Sequence, residues 1–443
     1  MYLNDQWSWV ETDSPQFQKA LDYLLYTDEN LFISGPGGVG KSILLRIAYS
    51  YNPNSIVLGS TGISAANLVA EGVPATTVHS ALRIPPVPVF DNSVKFKQDS
   101  INILCKASTV FIDEVSMINA SLMDFILKMS LKSKDVHVPR FVLFGDMFQL
   151  PPIKTNDKAV SKYFQKKYDD NYFFFNSTLF SKFKFRTIHL DEVYRQKDPT
   201  FKNTLNRIRL GIPNKEDLDL INSRVTDKDS FIKNHEFMMY LATTNKQVDS
   251  INYIYTQSSK FNKRMSYTAR TGGDFDLSKH PQIKPYVEIA EGQQVMCLFN
   301  NRERGYQNGT LGKVLEVKPD GVLIQKSDGV LAFVVPDTWI KYEFAYDPKK
   351  NEVDYTETGY CTQIGCKPAF AVTLHKSQGL SLDALYLDLS SRFIPEAGVY
   401  LALSRCRTLE GIGLSRKITE EDIKINPEAL EFYATTADDS EVV

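Results

Sequence analysis

The chain has 443 residues, 43% of them hydrophobic and 23% charged, and a formal net charge of −2 at pH 7. That length exceeds one ordinary hydrophobic core, so two to four folded domains are expected. The near balance of charge excludes a global basic field as the source of any nucleic-acid affinity, which would need local positive charge and backbone donors instead.

In chain order, the start Met1-Tyr2-Leu3-Asn4-Asp5 lacks the basic and apolar regions of a secretory leader. No apolar run approaches the roughly 20 residues of a membrane-spanning helix, so a cytoplasmic location and no membrane partner are expected. Phe17, Ala20, Leu21, Leu24 and Leu25 recur at helical spacing and predict a helix over 16–30. Leu31–Ile33 is a short apolar strand that runs into Gly35-Pro36-Gly37-Gly38-Val39-Gly40-Lys41-Ser42, and a helix continues to Tyr49. Ser55–Leu58 predicts the next strand, followed by Gly59-Ser60-Thr61-Gly62 and a helix through Ala70. The prolines of Ile84-Pro85-Pro86-Val87-Pro88 exclude a helix or central strand. Residues 81–104 are therefore read as a small protruding element, with a plain surface loop as the alternative. Val110–Ile112 and Phe141–Phe144 are further buried strands, and Tyr172-Phe173-Phe174-Phe175 reads as a core strand rather than a platform for stacking bases. Short apolar strands alternating with helices imply a doubly wound parallel sheet, an α/β fold.

A second α/β pattern begins near Leu190, with a strand at Met238–Ala242 leading into Thr243-Thr244-Asn245. From about 266 to 365 the pattern turns to β, with turn signals at Asn308-Gly309, Pro319-Asp320-Gly321 and Ser327-Asp328-Gly329. Val295–Leu298, Gly312–Val317, Val322–Gln325 and Val330–Val335 fit a small antiparallel barrel inserted into the second core. The five cysteines are spread as reduced thiols would be, and the nearest pair, Cys361 and Cys366, lacks the partners of a zinc set. The division expected is a first core of residues 1–80 and 105–190, a small element at 81–104, a second core of 191–265 and 366–435, a β insertion at 266–365, and a disordered acidic tail at 436–443.

Six motifs carry chemistry. Gly35–Ser42, between a strand and a helix, is a complete phosphate-binding loop: its glycines admit backbone N–H groups to phosphates, Lys41 reaches the β/γ-phosphates, and the Ser42 hydroxyl holds Mg²⁺. Asp113 and Glu114 end an apolar strand, Asp113 to bind Mg²⁺ through water and Glu114 to orient or deprotonate the attacking water. Gln149, in Gly145-Asp146-Met147-Phe148-Gln149-Leu150-Pro151-Pro152, is placed to sense the γ-phosphate. Arg195 and Arg405 are guanidinium groups that stabilise charge on a transferring phosphoryl group, and Tyr194 is placed to stack on adenine. The remaining motif is Thr373-Leu374-His375-Lys376-Ser377-Gln378-Gly379.

These motifs resemble the superfamily-one DNA helicases, and most closely the Pif-type branch of superfamily 1B, whose relatives are the RecD-type and Dda-type enzymes. Asp113-Glu114-Val115-Ser116-Met117, Gly145–Pro152, Leu374–Gly379 and Ala402-Leu403-Ser404-Arg405-Cys406-Arg407 carry the likeness, which runs from about Gln18 to Thr408. The resemblance implies two RecA-like P-loop cores, with a small wedge domain at 81–104 and an SH3-like β-barrel at 266–365. It implies that Gln18 reads adenine, that Gly35, Gly37, Gly38, Val39, Gly40 and Gly379 line the nucleotide with Lys41, Ser42 and Tyr194, and that Thr61, Gly62, Thr77, His79, Thr244, Asn245, Thr373 and His375 contact DNA. The implied activity is an ATP- and Mg²⁺-dependent helicase moving 5′→3′ on single-stranded DNA and acting at junctions with duplex. It would be a monomer, with a dimer on DNA as an option. Independently, hydroxyls, amides and backbone donors contact phosphates without reading base edges, so the grip would be sequence-tolerant. Two other readings stand beside this one. The first is a DNA-stimulated ATPase that remodels nucleoprotein complexes without processive unwinding, suggested by the short wedge segment. The second, a small-molecule phosphotransferase, is opposed by the paired arginines.

Overall fold

The computed structural model describes residues 14–84, 95–132, 138–152, 154, 158–235, 237–256, 263–280, 283–299, 301, 303–306, 308–326, 328–347, 352–391 and 394–437. The chain divides into two compact units, one of residues 1–194, 342–356 and 427–443, the other of 195–341 and 357–426.

In the first unit, β1 (Leu31–Ser34), β2 (Ser55–Gly59), β3 (Ala75–Thr77), β4 (Thr109–Asp113), β5 (Arg140–Gly145) and β6 (Arg186–His189) form one sheet in the order β3-β2-β4-β5-β1-β6. Every pairing is parallel. All residues of β1 and β2 are buried, the uniform burial of strands covered on both faces. The edge strands β3 and β6 escape a reading by apolar runs, because Thr76, Thr77, Arg186, Thr187 and His189 interrupt them.

The first helix runs from Pro15 to Tyr26, shorter than the 16–30 expected. Ser14 caps it by accepting the Phe17 N–H, and Pro15 suits the first turn. Thr27 leaves the helix in an extended conformation and donates its hydroxyl to the Tyr23 carbonyl. Arg140, at the start of β5, donates to the carbonyls of Tyr23, Leu24 and Glu29. These bonds satisfy carbonyls that a helix end otherwise leaves unpaired.

Tyr172–Phe175 is core but not a strand. Phe173 makes a single bridge to Asn119, and Phe174–Asn176 is one 3₁₀ turn. The aromatic rings explain this: Tyr172 stacks on Phe164 at 4.0 Å and Phe175 on Phe432 at 4.2 Å, so neighbouring rings leave in different directions instead of alternating. Beneath them, the buried Asp124 carboxylate accepts hydroxyls from Tyr168, Ser177 and Thr178 and the N–H of Leu179, with Lys167 at 3.5 Å.

Of the segment 81–104, residues 85–94 lie outside the described residues. Gln98–Lys106 is a helix with Ile101, Ile103, Leu104 and Cys105 buried. The Ser100 hydroxyl bonds to the Leu82 carbonyl, and Phe96 packs on Phe125 at 4.8 Å. The boundary placed at 104/105 therefore falls inside a helix that packs on the first core.

The last helix, Pro427–Ala437, corrects the expected division, which gave 366–435 to the second core. It belongs to the first unit: Phe432 joins the cluster of Phe175, Phe180 and Phe32, and Glu428 accepts from Asn176 at 2.8 Å. The acidic tail expected from 436 begins inside this helix, and 438–443 lie outside the described residues.

In the second unit, the strands Ala371–Thr373, Met239–Ala242, Leu385–Leu387 and Ile412–Leu414 lie side by side in that order, all parallel. The β segment contains a five-stranded antiparallel sheet, ordered Leu331–Val334, Gly321–Lys326, Leu311–Lys318, Gln294–Cys297 and Cys366–Pro368. Its core includes Val295, Val314, Val322, Ile324 and Val334. Cys366–Pro368 carries the pairing past the expected limit of 365. The long strands Pro336–Asp347 and Glu352–Ile364 were not foreseen, although Trp339-Ile340-Lys341-Tyr342-Glu343-Phe344 alternates as strands do. All five cysteines are free and buried.

Replacing Asp124 with Ala should cost about 3 kcal/mol, because it strands a partly buried ammonium and several hydroxyls. Urea unfolding of Asp124→Ala measures this, and a loss below ~1 kcal/mol would show that the knot is not structural. In the second unit, Arg207, Thr204 and the Asn214 N–H hold the buried Asp217 carboxyl down at about 2. A depressed carboxylate stabilises above its unfolded value of about 3.9 and loses that contribution as pH falls through the folded value. The second unit should accordingly lose stability between about pH 4 and pH 2, and Asp217→Asn should flatten that part of the curve.

Candidate nucleotide site and nucleic-acid interface

The phosphate loop links β1 to the helix Lys41–Tyr51. Gly40 caps that helix at φ 90°, and a Cβ there would stand 2.9 Å from the Phe17 ring. A Cβ on Gly35 would stand 2.6 Å from the Leu190 carbonyl oxygen. Only glycine fits either place. The Tyr194 N–H donates to the Gly38 carbonyl at 2.9 Å, so the chain leaving β6 runs beside the loop. The Tyr194 side chain is 41% exposed there. Gln18 lies on the same helix as Phe17, and its amide bonds to Asp22 at 2.8 Å. The structure thus brings Tyr194 and the helix that carries Gln18 to the loop.

Lys41 Nζ donates to the carbonyls of Gly35 and Pro36 at 2.7 and 2.9 Å, folding the ammonium over the loop, and Ser42 is exposed on the first helical turn. Asp113 ends β4 and accepts the Ser64 hydroxyl at 2.8 Å. Loss of hydration, with the adjacent Glu114 carboxylate, raises the Asp113 carboxyl to about 7. Glu114 itself sits at φ 52°, a left-handed conformation uncommon for its type.

Beyond β5, the Asp146 carboxylate accepts the Phe148 N–H, and Gln149 N–H donates to the Asp146 carbonyl. Gln149 is buried, and its Oε1 has no hydrogen-bond partner among the described residues. The same holds for the hydroxyls of Ser34, Ser60 and Ser116. These four groups sit at or just past the C-terminal ends of β1, β2, β4 and β5. Buried polar groups without partners cost about 1–3 kcal/mol each. Their gathering on one edge of the sheet, beside a phosphate loop and the Asp113 and Glu114 carboxylates, fits a site for a polyanion and a divalent cation. Among the described residues no cluster of three or more His, Cys, Asp or Glu side chains could hold a metal by itself.

In the second unit, Arg195 donates to the Ser404 carbonyl at 3.0 Å, and Gln196 donates to the carbonyls of Ser404 and Cys406. Arg405 is 2% exposed, with Nε on the Leu401 carbonyl and a terminal nitrogen on the Ser404 hydroxyl. The two arginines are thus held at one place, the C-terminal end of the helix Gly398–Arg405.

The residues expected to touch DNA share one local design. Thr61 accepts from the Ser64 N–H at the start of Gly62–Ala70, and Thr77 accepts from the Ser80 N–H at the start of Val78–Ala81. They follow the adjacent strands β2 and β3. Thr244 accepts from the Gln247 N–H beside Asn245, which opens Asn245–Thr256, and Thr373 accepts from the Lys376 N–H at the start of Leu374–Ser377. They follow the adjacent strands of the second sheet. His79 is half-buried in its helix, where burial pushes its imidazole below the usual value; His375 is exposed, and Gly379 follows at φ 82°. Ser64 and Gln247 escaped the sequence reading. Thr244-Asn245-Lys246-Gln247 is a capping-box pattern that could have found the second.

The profile of the PIF1-like helicases matches residues 17–218. The ATP-dependent DNA helicase Pif1 of Campylobacter jejuni is 26% identical over 94% of this chain and 96% of its own length. Human ATP-dependent DNA helicase PIF1 is 25% identical over 94% of this chain and 63% of its own. The crystal structure of Bacteroides Pif1 in complex with ADP-AlF4 matches at TM-score 0.83 and 29% identity, covering 96% of this chain and 97% of that one. Residues 17–218 thus carry a PIF1-like helicase domain, and over nearly its whole length the chain is similar in sequence and fold to the Pif1 helicases of superfamily 1B.

Proposed function

We propose that the protein is an ATP-dependent helicase that moves 5′→3′ along single-stranded DNA and separates the duplex at its junction. The observation that carries this reading is the recurrence, in both units, of threonine-capped helix starts at the C-terminal ends of two adjacent parallel strands. Each presents backbone N–H groups and a hydroxyl, which bind phosphate and ignore base identity. A strand held by two such pairs can be gripped by one core while the other releases it. The direction of movement rests on the family resemblance.

In the hydrolytic site, Lys41 would exchange loop carbonyls for β/γ-phosphate oxygens, and Ser42 and Asp113 would hold Mg²⁺, which supplies charge neutralisation at the phosphates. Glu114 takes the proton of the attacking water. Gln149 offers its buried amide to the γ-phosphate. Arg195 and Arg405 stabilise the charge that grows on the equatorial oxygens.

Glu114→Gln should retain ATP binding and lose turnover by about 10²–10⁴-fold, as loss of a general base does; parental turnover would remove Glu114 from that role. Arg405→Ala and Arg195→Ala should each slow hydrolysis by about 10³-fold or more without weakening ATP binding in proportion. The decisive assay supplies ATP and Mg²⁺ with two partial duplexes, one tailed at 5′ and one at 3′. Unwinding from the 5′ tail alone is expected. Unwinding from the 3′ tail alone would overturn the direction. DNA-stimulated hydrolysis with no strand separation would favour the nucleoprotein remodeller.

A further inference from the structure

The C-terminal segment is the one part of the first unit that the chain reaches only after completing the second. Its two ends are fastened to two catalytic motifs. Within the second unit, the Lys424 carbonyl accepts the Ala397 N–H at 2.8 Å, Lys424 Nζ donates to the Ile394 carbonyl, and Asn426 donates to Glu396. Residues 394–397 lead directly into Gly398–Arg405, the helix that carries Arg405. Within the first unit, the Tyr433 ring meets Phe148 edge-on at 5.3 Å and His189 at 4.6 Å, and His189 Nε2 is 3.0 Å from the Thr436 hydroxyl. Phe148 immediately precedes Gln149, and His189 precedes the segment that carries Tyr194 to the phosphate loop. Phe432 and Glu428 anchor the same helix to Phe175 and Asn176.

We propose that residues 424–437 form a covalent strap that couples the Gln149 loop to the Arg405 helix, with Tyr433 as the positioning residue that seats Phe148 and thereby the Gln149 amide. The proposal rests on the helicase reading, because its readout is stimulation of hydrolysis by DNA. The mechanism is mechanical continuity. Pro427 starts a helix one residue after Asn426, so no slack chain separates the anchor at the start of the Arg405 helix from the anchor beside Gln149. A displacement at either end is then felt at the other through a helix, an element that resists compression and bending.

The test inserts Gly-Ser-Gly-Ser between Asn426 and Pro427, which leaves every anchor residue in place and adds slack. Steady-state ATP hydrolysis is measured with and without an oligo-dT strand, alongside thermal unfolding. The insertion variant should keep the parental melting temperature, KM for ATP and DNA-free rate, while stimulation by the oligonucleotide falls about tenfold, the scale of a typical coupling free energy. Tyr433→Ala should lower the stimulated kcat with KM for ATP unchanged, and Tyr433→Phe should restore it. Leu430→Ala, an exposed position of the same helix, should behave as the parent. Parental stimulation in the insertion variant would overturn the strap. Absence of stimulation in the parent itself would overturn the helicase reading, and the strap with it.

Discussion

The phosphate loop is held from both flanks by chain segments distant in sequence, and the rest of the first unit is arranged around that fact. Phe17 presses on Gly40 and the Leu190 carbonyl presses on Gly35, each at a distance that any side chain would violate. The Tyr194 N–H then closes on Gly38. A loop confined in this way keeps its N–H groups aimed at one point without a ligand to order it, so binding need not supply that ordering entropy. The confinement also fixes what else stands near the phosphates. Gln18 comes with Phe17, and Tyr194 comes with Leu190. The elements that hold the loop are therefore also the ones that carry the two side chains expected at the base.

The second constraint is the polarity of parallel strands. Apart from Gln18 on the first helix and Arg405 at the end of Gly398–Arg405, the candidate residues of both units lie at or beyond C-terminal strand ends, where helices begin and N–H groups outnumber acceptors. In the first unit this edge divides by strand. β1, β4 and β5 deliver the loop, the carboxylate pair and Gln149, and β2 and β3 deliver the capped helix starts. Ser64 joins the two halves, since it lies in the first turn of the helix capped by Thr61 and donates to Asp113. The Thr61–Ser64 turn is thus tied by one hydroxyl to the carboxylate that ends β4.

The loop and the strand that ends in Asp113 were legible in the sequence as local patterns tied to element boundaries, whereas Thr61, Thr77, Thr244 and Thr373 entered through the family resemblance and their capping was not read. Strands β1, β2, β4 and β5 announce themselves as apolar runs because both of their faces are buried. What was hidden had non-local causes. The short polar strands β3 and β6 exist because β2 and β1 offer them an edge. Tyr172–Phe175 imitates a strand because ring packing with Phe164 and Phe432 is invisible until the chain returns. In the strands after Pro336, aromatic and charged residues blur the alternation of the sequence.

The C-terminal helix shows why contiguity misleads at the level of domains. Pro427–Ala437 follows the second core without any Gly- or Ser-rich break, so a reading along the chain assigns it there. Its apolar residues decide otherwise. The aromatic cluster of Phe32, Phe174, Phe175 and Phe180 is completed by Phe432, at centroid distances of 4.2 to 6.2 Å. A cluster of that size has an open side that a further apolar residue must cover, and here a ring does so. Composition favours a partner, but it cannot say which distant segment supplies it. Burial of that open side, rather than adjacency along the chain, therefore decides the unit to which the helix belongs.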